Sequence, residues 1–191
     1  MKKIKKFKVN IRLRETMRLL KSTAHLQEIT SDVEDDIHKA SRLMSGLIST
    51  AALYETLQKD KFPAELQLEP PDKWVAASVY IVTVGEAAEA RVMEAQKTGE
   101  TTLPGQILHS IALETLEQSG NFIRRLLDDE AKEETCELSQ QKAVNSETAW
   151  AKLLELLPGD KIGVKYLGSE RFAPMYTTGG IIYWTPVKKR R

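Results

Sequence analysis

Three histidines, one cysteine and a scatter of carboxylates are the side chains from which this sequence could build a reactive centre. His25, His38 and His109 never stand four residues apart, the helical spacing that would bring two imidazoles to one metal ion. Cys136 is alone, which excludes an internal disulfide and a cysteine-based metal cluster. The acidic run Asp128-Asp129-Glu130, with Glu133 and Glu134, reads as a solvated face. Acid–base catalysis needs carboxylates held in contrasting environments, and nothing in the spacing creates that contrast. There is no nucleophile elbow. Gly179-Gly180 is too short for a dinucleotide fingerprint, and no helical pattern follows it. Such a glycine pair marks backbone that turns tightly or lets a neighbour approach closely. The residues by themselves nominate no catalytic group and no metal ligand.

One near-match bears on cofactors. Corrinoid-binding modules carry Asp-x-His-x-x-Gly, whose histidine ligates cobalt from a loop after a strand. Asp36-Ile37-His38-Lys39-Ala40-Ser41 has the first two elements but no glycine, and it lies inside the strongest helical pattern of the chain. Cobalamin would therefore reach this protein only through a partner.

The elements that must position any site follow from periodicity. Residues 4–11 alternate imperfectly, as a short edge strand does. Residues 13–21 form a short helix with Leu13, Met17 and Leu20 on one face, and a break spans 22–30. A capping box, Ser31-Asp32-Val33-Glu34, starts the next helix, whose apolar face runs through Val33, Ile37, Ala40, Met44, Leu47 and Ala51 to about Leu57. Pro63, Pro70 and Pro71 make 61–72 a connector. Residues 74–84 (WVAASVYIVTV) read as a buried central strand ended by Gly85. A helix over 86–97, a connector over 98–105 and a long helix over 107–131 come next. Residues 132–145 are polar and irregular. Trp150, Leu153, Leu154 and Leu157 then define a helix stopped by Pro158-Gly159, and strands at 162–167 and 180–185 close the chain. Helices with scattered strands predict an α+β fold, in which helices pack on one twisted, largely antiparallel sheet.

At 191 residues, 41% hydrophobic and 29% charged, the sequence suits one globular domain over 1–191. Its basic residues crowd the two ends, Lys2, Lys3, Lys5, Lys6 and Lys8 at the start and Lys188, Lys189, Arg190 and Arg191 at the finish, around an acidic body. The ends at about 1–4 and 187–191 are expected to be flexible. Basic ends could serve nucleic acid, but only Phe7 interleaves the first group of lysines, so nucleic-acid binding ranks last. No apolar stretch approaches the ~20 residues of a membrane span. The basic start lacks the apolar core of a secretory signal, so the expected location is cytoplasmic, with no membrane partner.

Four segments resemble the reactivation (activation) domain family of cobalamin-dependent methionine synthase. IGVKYLGSERFAPMYTTGGIIYWTP (162–186) is similar to the family's closing motif, with Gly163, Ser169, Pro174, Thr177, Gly180 and Pro186 at matching places. VTVGEAAEARV (82–92) resembles a strand that ends in Thr-x-Gly and passes into a helix, and VNIRLRETMRLL (9–20) resembles the opening strand and helix. ILHSIALETLEQSG (107–120) lies where the family has a helix with an inward glutamate, and Glu117 takes that place. The resemblance implies an activation-domain-like α+β fold that binds S-adenosylmethionine in a shallow groove and docks on a cobalamin domain during reductive methylation. In such a system the domain supplies position while the cofactors supply the reactive atoms. It implies Glu117, Thr177, Thr178 and Gly180 as ligand contacts, no catalytic residue, and a corrinoid-binding protein or methyltransferase as partner in trans. The family's Arg-x-x-x-Gly-Tyr segment, which wraps the ligand, is replaced here by CELSQQKAVNSE (136–147). Binding of S-adenosylmethionine is accordingly expected to be weak. The competing expectation is a non-catalytic interaction module that keeps the fold without the ligand.

Overall fold

The computed structural model describes residues 1–96 and 102–187. An edge strand, β1 (Lys2–Lys5), opens the chain and is followed, beyond an extended stretch, by α1 (Leu13–Thr23) and α2 (Ser31–Leu47). Thr30, not Ser31, caps α2: its Oγ1 accepts the Val33 N–H at 3.5 Å, so Ser31 is already helical. The basic start is not a free arm, because Lys2–Lys5 pair with the strand that follows α2. The basic residues 188–191 lie outside the described residues.

That next strand, β2 (Ala51–Gln58), is a correction to the helix expected to run to Leu57. Ile48 leaves α2 in an extended conformation (φ −65, ψ 124) and the Ser49 N–H bonds to the Val84 carbonyl. Ala51 continues the period of α2 only by coincidence. Ala51, Ala52, Leu53 and Tyr54 are all buried, as successive residues of a strand covered on both faces must be. Two 3-10 turns, at Lys59–Lys61 and Ala64–Leu66, occupy the proline-bearing connector.

β3 (Ala76–Thr83) is buried at every position and forms the centre of the sheet. It leads into α3 (Glu86–Gln96), and the first half of the connector expected at 98–105, residues 98–101, lies outside the described residues. α4 (Leu103–Glu133) begins earlier than expected: Thr102 is its N-cap and Gly105 lies inside its first turn. The polar stretch read as irregular holds two short strands, β4 (Cys136–Leu138) and β5 (Lys142–Ala143). α5 (Glu147–Leu156) follows, capped by Ser146. The strand expected at 162–167 is displaced. A 3-10 turn runs to Ile162, and β6 (Lys165–Gly168) pairs with β7 (Arg171–Ala173) as a separate hairpin. β8 (Thr177–Pro186) closes the chain.

The main sheet runs β1-β2-β3-β8-β4, with β5 also on β8, and every pairing is antiparallel. The fold is therefore α+β with an antiparallel sheet. One face packs Ala52, Tyr54, Tyr80, Val82 and Ile182 against Ile123, Leu127 and Ala131 of α4. The other packs Leu53, Val79, Ile81, Ile181 and Tyr183 against Trp150 and Leu153 of α5 and the aromatics Phe62 and Trp74. A third cluster joins α1, α2 and α3 to the first half of α4. Among the described residues no helix is long and apolar enough to cross a membrane.

Candidate functional site

The glutamate that α4 turns inward is Glu114, not Glu117. Positions 107, 111, 114 and 118 lie along the buried stripe of α4, and Glu114 is 0% exposed. A carboxylate so placed needs a cation, and the extended stretch after β1 delivers Arg12. Its Nε donates to Glu114 Oε1 at 2.7 Å, its Nη2 to Oε2 at 3.2 Å, and its backbone N–H to Oε1 at 3.3 Å. Hydrogen bonding to Glu114, foremost, lifts the Arg12 pKa above its already high ordinary value. The same Nη2 donates to Glu117 Oε1 at 2.9 Å. Glu117, whose side chain is 50% exposed, thus stands at the solvent end of a three-membered charge cluster with one oxygen left for another donor.

One turn along α4, β3 and the 136–147 segment meet the helix at Gly120. The Tyr80 hydroxyl donates to Gln141 Oε1 at 3.1 Å, and Gln141 Nε2 donates to the Gly120 carbonyl at 3.2 Å. Arg124 Nη1 reaches the Ser139 carbonyl at 2.6 Å. Burial pushes the Tyr80 pKa up to about 12, so this hydroxyl stays a donor at neutral pH. The segment that the resemblance assigns to ligand wrapping is here fastened onto the helix.

The β8 residues divide by depth. Thr177 is buried, and its Oγ1 donates to the Pro174 carbonyl at 2.7 Å and contacts Thr83 Oγ1 at 3.0 Å. Gly180 is buried opposite Tyr80, whose ring lies over it. Thr178 is half-buried, on the α4 face of the sheet opposite Val82. Glu117, Thr177, Thr178 and Gly180 line none of five surface cavities defined by the described residues. Only Glu117 and Thr178 present side-chain polar groups toward solvent. Among the described residues no three His, Cys, Asp or Glu side chains gather as metal ligands.

The sequence reading missed Arg12, Glu114, Tyr80 and Gln141. Glu114 was recoverable, since it falls on the apolar stripe through Ile107 and Ile111. Gln141 carried no signal, because its partners lie on other elements.

His109 is held without a ligand role: its Nδ1 lies 2.7 Å from the Tyr176 hydroxyl. Burial raises the Tyr176 pKa and lowers that of His109, so the pair is neutral near pH 7. The unfolded chain then binds a proton more readily than the folded one below the ordinary histidine value of about 6.5. Stability present above that pH is expected to fall as pH drops toward the lowered folded value. His109→Gln should flatten the slope of melting temperature against pH between about 7 and 5. An unchanged slope would assign the acid sensitivity to other groups.

In class, these features define an α+β domain in which one long helix crosses an antiparallel sheet and three helices close over its first half. A solved structure with this architecture is that of the MetH reactivation domain bound to AdoHcy. It is similar to this chain with a TM-score of 0.64 and 12% identity, over 100% of this chain and 80% of that one. At that identity the likeness shows a shared fold. No protein-family model matches the sequence, and no curated protein matches it.

Proposed function

We propose that this chain is an accessory module of a corrinoid methyl-transfer system, docking on a separate cobalamin-binding protein and binding an S-adenosyl ligand weakly. The observation that carries the reading is the fold: the chain is similar over its whole length to a reactivation domain solved with AdoHcy. The absence of a complete Asp-x-His-x-x-Gly in the sequence supports a partner in trans. The residues available for the ligand are Glu117, whose carboxylate suits an amine or a sulfonium charge, and Thr178 across the sheet face. Thr177 and Gly180 lie buried in the same strand as Thr178. No side chain of the module would react; its contribution is position.

The competing reading, a docking module that has dropped the ligand, is favoured by Gln141, which ties the 136–147 segment to α4 and β3. Calorimetry separates the two. AdoHcy is expected to bind the wild-type chain with a dissociation constant near the millimolar range. Gln141→Ala should tighten it by about tenfold, because the ligand no longer displaces two hydrogen bonds worth ~0.5–1.5 kcal/mol each. Failure of both proteins to bind at millimolar AdoHcy would leave the ligand-free reading. Capture of a purified corrinoid protein is expected in either case, and its failure would end the corrinoid proposal.

A further inference from the structure

Between β1 and α1 the chain runs extended without a paired strand among the described residues. Lys6 adopts a left-handed conformation (φ 55), which turns the backbone out of the β1 register. The conformation is pinned on both sides: the Lys6 N–H bonds to the Thr50 carbonyl at 2.7 Å, and Thr50 Oγ1 donates to the Phe7 carbonyl. Beyond this point burial alternates as in a strand, with Phe7, Val9 and Ile11 half-buried and Lys8, Asn10 and Arg12 exposed. Yet the backbone groups of residues 8–11 make no hydrogen bond within the protein, among the described residues. They form a strand edge that nothing covers.

Along that edge lie two adjoining cavities, of about 650 and 360 Å3, which share Val9, Ile11 and Ser45 in their walls. The first opens between this stretch and the end of α2. The second continues along the α2 face of His38, Ser41 and Arg42. Lys6, Lys8 and Arg42 supply positive charge, and among the described residues no acidic side chain lines either cavity. None of these three cations takes part in an ion pair among the described residues. Ser41 Oγ is buried there without a hydrogen-bond partner. Apolar walls from Val9, Ile11 and Leu47 alternate with this basic rim.

From this we infer that the groove receives an extended acidic segment of a partner protein, which adds as a strand beside residues 8–11. Open N–H and C=O groups would supply affinity through main-chain pairing, and the alternation of basic and apolar walls selects acidic residues alternating with apolar ones. The carbonyl end of α2 faces the same groove and repels anions, so the carboxylates belong on the Lys6 and Lys8 side. The inference is independent of the S-adenosyl ligand and of the corrinoid partner.

The test uses the full chain and a fluorescein-labelled peptide of alternating glutamate and valine, about eight residues long to span the groove at ~3.3 Å per residue. Saturable binding below about 1 mM is expected, weakening with salt. The double variant Lys8→Glu/Arg42→Glu, at two exposed positions, should weaken it by about tenfold with an unchanged melting curve. A peptide of equal charge with alternate amides N-methylated should bind poorly, and the unmethylated peptide should slow hydrogen exchange at residues 8–11. The inference is overturned by an absence of binding, by indifference to the charge reversal, or by equal binding of the N-methylated peptide. Displacement by inorganic polyphosphate at equal charge concentration would also overturn it, showing a general polyanion surface.

Discussion

Valine in place of Gly180 is expected to lower stability by about 1–3 kcal/mol, a fall in melting temperature of roughly 3–10 °C. A Cβ at Gly180 would lie 2.5 Å from the Tyr80 hydroxyl oxygen and 2.7 Å from its Cζ, and Tyr80 is itself buried beneath α4. The ring cannot swing aside without breaking its bond to Gln141. Gly179 meets the same limit on the other face, where a Cβ would stand 2.7 Å from the Trp150 ring. The glycine pair thus lets an aromatic ring close on each side of β8. Tyr80→Ala costs several kcal/mol alone by leaving a cavity, yet it removes the atoms that valine would strike. The double variant should accordingly be more stable than the sum of the two single changes predicts. Strict additivity in chemical denaturation would refute the packing account. The same experiment weighs Gly180 as a ligand contact, since that role predicts lost AdoHcy affinity without lost stability.

What could be read from the sequence depended on whether an element's determinants lie within it. β3 was legible because eight successive buried positions leave a continuous apolar run, and α5 because Trp150, Leu153 and Leu157 keep helical spacing. β8 was legible in part for the same reason. β2 was lost because Ala51 fell in phase with the preceding helix and no proline or glycine separates Leu47 from Ala51. β4 and β5 had no sequence signature. Each is two or three residues long, too short to show a period, and is specified by the open edge of β8 rather than by its own side chains. The lone buried member, Cys136, has its thiol pKa raised by that burial. The site follows the same rule. Glu117 and Glu114 are three residues apart on one helix; the stripe through Ile107 and Ile111 points to Glu114 as the inward one, but nothing near it in sequence shows what pairs with it. The deciding partner, Arg12, is 102 positions away from Glu114.

Arg12→Ala is expected to be among the most damaging single changes at the surface, lowering the melting temperature on the order of 5–10 °C. The asymmetry of the pair explains why. Arg12 is 42% exposed and would be resolvated if Glu114 were lost, whereas Glu114 is 0% exposed and loses its charge partner if Arg12 is lost. Truncating the arginine removes two side-chain donors from a buried carboxylate and leaves the Arg12 backbone N–H as its remaining partner from that residue. Glu114→Gln, which keeps an acceptor for Arg12, should cost much less. Replacing both partners by apolar groups, as in Arg12→Met/Glu114→Leu, should return most of the lost stability, because no charge is then left buried and unpaired. Glu117→Ala removes only the solvent-facing member and should leave melting nearly unchanged. A ligand role for Glu117 is therefore separable from the structural role of Glu114. If Glu117→Ala instead melted as early as Arg12→Ala, the cluster would be one structural unit, and Glu117 could not serve as an independent contact for an S-adenosyl ligand.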